Sequence, residues 1–329
     1  HALDLDDAHS SMGGHPSAVL VPVILALSPQ VSATGKQALT AYVAGAEAAA
    51  HLGRAVAHKH FLSGWHATST IGVLAASLTA AHLLKLRPLE TQYALGLAAS
   101  MAAGLRINFG SDTKSLHVGQ AAEHGLTAAL LASAGLTSSR DALDGPLGYL
   151  QCFGGDAIDD LTPMTDLGHH WELLDPGLDV KLYACCGAAS RAIDALIDLL
   201  EETGLEGNDI ETIDALLSPH AAALLKFPEP KTVDEARFSL HHCLGSVLAD
   251  GALGLKHFEP SAIDRLDIQG MRRRIQMGIH PELKERQFGF VFAHLRVRTK
   301  DGRQFSRRSS APRGESSALS LTMKWDRSS

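Results

Sequence analysis

Cysteine and aromatic residues are scarce in this sequence. The four cysteines, Cys152, Cys185, Cys186 and Cys243, form no CxxC pair, so we expect neither a zinc ribbon nor a thioredoxin-like site. The adjacent Cys185 and Cys186 are poor candidates for a structural disulfide, and the pattern fits a reducing cytoplasm. Aromatic side chains make up only 5% of the chain, whereas alanine and leucine are abundant. That composition favours closely packed helices.

Long apolar runs and an excess of positive charge are also missing. The apolar run at residues 18–27 is too short to span a membrane, and no signal-peptide pattern is present. The formal net charge of −7 argues against nucleic acid as a partner, because nucleic-acid binding usually requires a basic face. The HExxH, GxSxG, P-loop and GxGxxG patterns are absent as well, and we expect no bound metal. A length of 329 residues allows one large domain or two smaller ones.

Apolar periodicity predicts an all-helical domain in the first half of the chain. We predict helices at residues 17–27, 34–53, 67–85, 88–104 and 119–135. Ser17 is the predicted N-cap of the first helix. Small residues such as Gly45, Gly72 and Ala76 recur through these helices, which permits close helix–helix approach.

The second half of the chain has a different pattern. After a linker at 161–180, we predict helices at 187–203, 233–255 and 260–270 and strands at 210–217, 288–299 and 304–308. A Lys300–Arg303 hairpin turn joins the last two strands. The charged stretch 271–286 is predicted to be a looser part of this second, α+β domain.

Four polar stretches interrupt the apolar helices and are candidate sites. They carry, in chain order, Asp4, Asp6, Asp7, His9 and His15; then Trp65 and His66; then Lys114 and His117; then Lys181, Cys185 and Cys186. Each stretch could instead be a solvated loop, and any single histidine is more often structural than functional. We interpret Asp6 and Asp7 as N-terminal capping residues or structural hydrogen-bond acceptors rather than catalytic residues. Trp65 is interpreted as a packing residue, and Cys185 and Cys186 as small buried residues.

Five sequence motifs, read together, resemble those of the MmgE/PrpD family. They are HALDLDDAH followed by HPS, GWHATSTIG, KSLHVGQAA, KLYACC and ARFSLHHC. The motifs run in the family's order over nearly the whole chain. Members of that family include 2-methylcitrate dehydratase, cis-aconitate decarboxylase and iminodisuccinate epimerase. Family members are longer at both ends, so we expect this chain to be a truncated one.

The resemblance implies a mainly α fold. It comprises a large all-helical domain at residues 1–165, to which residues 316–329 return, and a smaller α+β lid domain at 175–312. The resemblance further implies an active site in the cleft between the two domains, a homodimer, and cofactor-free chemistry on small di- or tricarboxylates.

The same resemblance, carried over position by position, names the site residues. The implied catalytic residues are Asp4, His15, His66, Lys114 and Lys181, and the implied substrate-binding residues are Lys114, Lys181 and His117. The lysines would stabilise negative charge that develops beside a carboxylate. His15 and His66 would transfer the proton, and Asp4 would orient one of their imidazoles.

Three positions depart from the family pattern. Ala8 stands where threonine is common, Cys186 where cis-aconitate decarboxylase has histidine, and Ser190 where many members have histidine. These departures weaken the decarboxylase assignment most, so we expect a lyase that dehydrates a hydroxy acid such as 2-methylcitrate. An epimerase of an iminodisuccinate-like amino-dicarboxylate is the second possibility, a cis-aconitate-type decarboxylase the third, and a catalytically inactive binding protein the last.

Overall fold

The computed structural model describes residues 1–155, 162–285 and 289–315. These residues form two compact units. The first unit contains residues 1–2, 6–108 and 112–179, and the second contains residues 3–5, 109–111 and the described chain from Val180 onward. Residues 316–329, predicted to return to the first domain, lie outside the described part of the chain.

The first unit is built mainly of helices. They are α1 (Pro16–Leu27), α2 (Gly35–Leu62), α3 (Ala67–Thr70), α4 (Gly72–Leu83), α5 (Pro88–Ser100), α6 (Thr113–Ser133), α7 (Tyr149–Gly154) and α8 (Thr162–Thr165). A two-residue strand, β1 (Asp7–Ala8), lies in this unit, and a second, β2 (Asp179–Val180), lies where the chain passes from the first unit to the second. Helix α4 is almost wholly buried and packs against α1, α2, α5 and α6, so it forms the centre of this unit's core.

Close packing around α4 depends on glycine. A β-carbon at Gly125 of α6 would lie 2.4 Å from the β-carbon of Ala76, and one at Gly45 of α2 would lie 2.1 Å from Thr79 Oγ1. Neither position has room for a side chain. The small residues predicted to permit close helix approach therefore do so at these two contacts.

The start of α1 differs from the prediction. His15 occupies the N-cap position and Pro16 the first helical position, where proline is well tolerated. The prediction that Ser17 is the N-cap is therefore wrong. Ser17 instead donates from its Oγ to Asp7 Oδ2 at 2.8 Å and from its backbone N to Asp7 Oδ1 at 3.2 Å. The carboxylate of Asp7 thus satisfies a free N–H of the first turn.

Other helix boundaries in this unit also differ from the predicted ones. Helix α2 continues to Leu62 instead of ending at residue 53, and the predicted helix 67–85 is two helices, α3 and α4. Helix α5 ends at Ser100 rather than at residue 104. Helix α6 begins at Thr113 rather than at residue 119, so the polar stretch predicted to interrupt the helices belongs largely to α6.

The second unit contains a four-stranded sheet. Its strands are β3 (Ile210–Leu217), β4 (Ile275–Ile279), β5 (Ala293–Thr299) and β6 (Gln304–Ser309). They lie in the order β4-β3-β5-β6, with β3 parallel to β4 and antiparallel to β5, and β5 antiparallel to β6. The helices are α9 (Ser190–Thr203), α10 (Pro219–Leu224), α11 (Val233–Arg237), α12 (Leu240–Asp250), α13 (Pro260–Ile263) and α14 (Leu266–Arg272). Helix α9 packs against β5 and β6.

The predicted strands are largely confirmed in the second unit. Strand β3 has the predicted bounds, and Ala293, Leu295, Val297 and Thr299 of β5 are all buried. Strand β5 begins at Ala293, so residues 289–292 of the predicted strand 288–299 lie outside it. The charged stretch 271–286 was predicted to be a looser part of the domain, but it contains the regular strand β4. Its pairing partner β3 is distant in sequence, so the strand depends on non-local hydrogen bonds that a charged local sequence obscures.

Two helices predicted as single elements are divided. The segment 233–255 forms α11 and α12, and Ser239 Oγ accepts from His242 N at 3.0 Å to begin the second. The segment 260–270 likewise forms α13 and α14.

Among the helices of the described residues, none has both the length and the apolar character needed to cross a membrane.

Candidate active site

The opening loop of the first unit is a tight turn that ends at His15. His9 N donates to Gly14 O at 2.9 Å, and Gly13 N donates to His9 O at 2.9 Å. Gly13 has φ +64°, a conformation that glycine adopts without strain. The imidazole of His15 then donates from Nδ1 to Asp7 O at 2.6 Å. Both the backbone and the ring orientation of His15 are therefore fixed by local hydrogen bonds.

The same loop is packed tightly between two helices. A β-carbon at Gly14 would lie 3.0 Å from Thr68 N of α3. A β-carbon at Gly53 of α2 would lie 2.2 Å from Ser11 O. The loop backbone thus touches helix backbone on both sides, which limits its freedom to move.

His66 is held at the N-cap of α3. Its backbone N donates to Gly104 O at 3.1 Å, and Gly104 has φ +127°. A β-carbon at Gly104 would lie 2.9 Å from Ser69 Cβ and 3.5 Å from His117 Cγ. Ser69 Oγ lies 2.6 Å from Ala103 O and 3.1 Å from His117 O. These contacts bring the N-terminus of α3 against α6.

Lys114 and His117 lie in the first two turns of α6. Their spacing of three residues puts them on one face of the helix, and both are buried, with Lys114 only 5% exposed. A helix N-terminus carries partial positive charge. A buried ammonium at that end therefore adds to a local field that favours anions.

The histidines of this unit form a cluster. The Nδ1 atoms of His66 and His117 lie 3.3 Å apart, and the ring of His1 lies 5.0 Å from that of His15 and 5.7 Å from that of His66. Burial is the main reason why the pKa of His66 lies well below its usual value, and the charges of Lys114, His15 and His117 lower it further. Burial also lowers the pKa of His117.

Asp6 is the carboxylate beside these imidazoles. Its Oδ2 contacts His1 Nδ1 and lies 3.6 Å from His15 Nδ1. These contacts agree with the interpretation of Asp6 as a hydrogen-bond acceptor, and they place that acceptor within the histidine cluster. One donor atom each from His1, Asp6 and His15 lies within 4.8 Å of the other two. Two imidazoles and a carboxylate are a donor set that zinc accepts.

Asp4 and Lys181 meet in the second unit. Lys181 Nζ lies 3.2 Å from Asp4 Oδ1, and both side chains are nearly buried. The carboxylate of Asp4 thus pairs with this lysine, and its role in orienting an imidazole stays a prediction. Asp4 has φ +51°, a left-handed conformation that is uncommon for residues other than glycine. Asp4 and Asp6 belong to different units, although they stand two residues apart.

The thiols near Lys181 are buried and free. Burial raises the pKa of Cys186 to about 11. A hydrogen bond to Cys243, followed by burial, raises the pKa of Cys185 well above its usual value. Cys185 and Cys186 are therefore neutral thiols near pH 7, as expected for small buried residues rather than nucleophiles. Trp65 stacks with His60 and contacts Phe153, which agrees with its interpretation as a packing residue.

The predicted site residues belong to both units. His15, His66, Lys114 and His117 interact within the first unit, and Asp4 pairs with Lys181 within the second. The sequence motifs select neither His1 nor Asp6, although both lie beside His15. Their signal was the density of ionisable groups in the opening segment, but nothing in the sequence ranked Asp6 above its neighbours.

Comparison with known proteins identifies the family of this chain. The model of the MmgE/PrpD N-terminal domain matches residues 1–161, and that of the MmgE/PrpD C-terminal domain matches residues 183–324. The chain belongs to the MmgE/PrpD family. The family assignment made from the five sequence motifs is therefore confirmed.

Several curated MmgE/PrpD relatives are cis-aconitate decarboxylases. The Mus musculus enzyme is 27% identical over 321 residues, covering 94% of this chain and 64% of its own length. The Homo sapiens enzyme is 26% identical over 321 residues, covering 94% of this chain and 65% of its own length. The Aspergillus terreus enzyme is 30% identical over 211 residues, covering 60% of this chain and 43% of its own length. The chain thus spans less than two thirds of each of these relatives.

Proposed function

We propose that this chain provides the catalytic groups of a carboxy-lyase acting on cis-aconitate or a closely similar tricarboxylate. The names of the similar proteins support this reaction over the dehydration expected from the sequence. The observation that carries the proposal is the histidine cluster beside a buried lysine, within a family whose members act on small carboxylates. The reaction removes CO₂ from the tricarboxylate, and the electron pair left on carbon takes up one proton to give a C5 unsaturated dicarboxylate.

Lys114 supplies fixed positive charge in this proposal. A trianionic substrate is attracted by the buried ammonium and by the N-terminus of α6. Negative charge that spreads toward a neighbouring carboxylate as CO₂ leaves is stabilised by the same groups. Preorganised charges of this kind often contribute the largest share of a rate enhancement.

The proton comes from His15 rather than His66. Because burial and nearby cations lower the pKa of His66, its imidazole is neutral near pH 7 and does not hold an acidic proton there. His15 has the carboxylate of Asp6 at 3.6 Å, and a nearby carboxylate stabilises an imidazolium. We therefore propose His15 as the general acid and neutral His66 as a hydrogen-bond partner of substrate. Lys181, a substrate-binding residue by resemblance, remains a prediction.

Dehydration of a 2-methylcitrate-like hydroxy acid is the second candidate. Cys186 favours it, because this neutral thiol stands where cis-aconitate decarboxylase has histidine. A thiol with a pKa of about 11 is a much weaker acid than an imidazolium. If decarboxylation requires an acid at that position, this chain lacks it.

Proton NMR in D₂O decides between the two reactions. The protein is incubated separately with cis-aconitate and with 2-methylcitrate, and His15→Gln is the matched inactive control. We expect CO₂ release and one deuterium per product molecule from cis-aconitate only. A new alkene signal from 2-methylcitrate, with no CO₂ from cis-aconitate, would replace the proposal with the hydro-lyase. No reaction with either substrate would refute both.

A further inference from the structure

A buried acidic residue outside the histidine cluster gathers hydrogen bonds from the opening loop. Glu172 is 1% exposed. Its Oε2 accepts from Ser11 Oγ at 2.6 Å, and its Oε1 accepts from Arg54 Nη1 at 3.0 Å. Its backbone oxygen accepts from His9 Nε2 at 3.0 Å. Two of these three bonds therefore come from the loop that ends at His15.

Helix α2 fixes Glu172 in turn. The backbone N of Glu172 donates to Glu47 Oε2 at 3.0 Å, and that of Leu173 donates to Glu47 Oε1 at 2.9 Å. Glu47 and Arg54 are seven residues apart on α2 and so lie on one face of it. The main chain and the side chain of Glu172 are consequently both tied to the same helix.

The loop leads directly into His15, the proposed proton donor. Ser11 and His9 form the first half of the turn, and the turn ends with the backbone hydrogen bond between His9 N and Gly14 O. His15 is the next residue. A change in the position of the turn relative to α2 would therefore be passed to His15 through a single peptide unit.

We infer that Glu172 is a positioning residue for His15. It links the loop to α2 through the Ser11 and His9 bonds and through its pair with Arg54. The inference rests on the proposed role of His15 as proton donor. Misplacement of a reacting group by about 1 Å can lower a rate on the order of 100-fold, so a loosened turn lowers kcat while the groups that bind substrate remain in place.

The network also contains contacts that do not involve the loop. Arg54 Nη1 donates to Asp166 Oδ2 at 3.2 Å, and His51 donates from Nδ1 to Pro163 O at 2.5 Å. Asp166→Asn therefore disturbs the same charge network without removing a bond to Ser11 or His9. It is a matched control for a general loss of packing.

The test compares four variants for kcat, KM, melting temperature and hydrogen exchange of the peptide covering residues 8–15. Glu172→Gln is expected to lower kcat by about tenfold or more and to leave KM within about twofold. Ser11→Ala removes one loop bond and keeps the Arg54 pair, so it is expected to lower kcat with an unchanged melting temperature. Both variants are expected to speed exchange in the loop. Asp166→Asn and the exposed-site control Glu123→Gln are expected to keep wild-type kcat and loop exchange.

Two results would overturn the inference. One is an equal loss of kcat in Asp166→Asn and Glu172→Gln, which would indicate a general structural role. The other is unchanged loop exchange in both Glu172→Gln and Ser11→Ala. Because hydrogen exchange is measured without substrate, this second result can be obtained even if the wild-type protein has no decarboxylase activity. In that case the proposed function fails, and the exchange data still show whether Glu172 holds the loop.

Discussion

The Nδ1 atoms of His66 and His117 face each other at 3.3 Å within the first unit. A hydrogen bond at this distance requires one ring to donate and the other to accept, so the two facing atoms hold one proton between them. Burial lowers the pKa of both imidazoles, and Lys114 lowers that of His66 further. The pair is therefore uncharged near pH 7, beside a lysine that carries the positive charge of the site.

Removal of the Lys114 charge is expected to raise the pKa of His66. Lys114 is the largest influence on that pKa after burial, so Lys114→Met shifts it upward while burial keeps it below the usual value. Activity that requires neutral His66 is lost as the pH falls through this pKa. The acid limb of the kcat/KM profile is therefore expected to move to higher pH in the variant.

NMR titration of the His66 ring measures this shift without substrate. Lys36→Met, at an exposed position of α2, is the matched control and is expected to leave the titration unchanged. An unchanged His66 titration in Lys114→Met would contradict the electrostatic coupling. Loss of activity alone would not test it, because Lys114 is also proposed to bind substrate.

His60 is expected to make stability depend on pH. Burial lowers its pKa from the usual 6.5 to about 4, so the folded protein binds fewer protons than the unfolded chain between these values. The free energy of unfolding is then highest above about pH 6.5 and falls as the pH decreases toward 4. A shift of this size corresponds to at most about 3 kcal/mol.

Denaturant unfolding at several pH values tests this linkage. His60→Gln is expected to flatten the decrease in unfolding free energy between pH 6.5 and 4, whatever its effect at neutral pH. The exposed His82, replaced by glutamine, is the control and is expected to keep the wild-type slope. If His60→Gln has the same slope as the wild type, other groups cause the acid destabilisation.

The sequence contained enough information to predict the elements that depend on local patterns. Strand β3 has the predicted bounds, and the helical first half follows from alanine-rich periodicity. Strand β4 was missed because its pairing with β3 is distant in sequence and its neighbours are charged. The N-cap of α1 was misplaced because the Asp7 carboxylate, ten residues before Ser17, supplies the hydrogen bonds that a local cap would have supplied.

The site could be predicted only in part for a similar reason. The motifs pointed to His15, His66, Lys114 and His117, which interact within one unit. Asp4 and Asp6 could not be told apart, because the positive φ of Asp4 is a property of the folded loop. Glu172 lies more than 150 residues after the loop it contacts, and no local pattern connects the two.

Gly53 is expected to be essential for the packing of the opening loop. A β-carbon at this position would lie 2.2 Å from Ser11 O and 2.5 Å from Met12 Cα, and both are backbone atoms that cannot rotate away. Gly53→Ala is therefore expected to lower the free energy of unfolding by about 1–3 kcal/mol and to speed hydrogen exchange in the loop.

Gly119 of α6 is the matched control for this substitution. A β-carbon there would meet nothing within 4 Å, so Gly119→Ala is expected to stabilise the helix by roughly 0.5–1 kcal/mol. Equal effects of the two substitutions on unfolding would mean that the contact with the loop does not restrict residue 53.

The Asp4–Lys181 pair is expected to behave as a buried ion pair. Removal of one partner leaves the other charge buried, at a cost of about 3–5 kcal/mol. Lys181→Met is therefore expected to lower the unfolding free energy by several kcal/mol. The double variant Asp4→Asn/Lys181→Met removes both charges at once and is expected to recover most of that loss, because neutral side chains of similar shape need no compensating charge.

Activity separates the stabilising role of this pair from its predicted catalytic one. If Lys181 binds substrate, the double variant is stable and inactive. If Lys181 only neutralises Asp4, the double variant regains activity together with stability. Thermal unfolding and turnover of cis-aconitate, measured on the same samples, give the two answers independently. Additive effects of the two single substitutions on stability would contradict the pairing itself. Two charges that interact give a nonzero interaction energy in a double-mutant cycle.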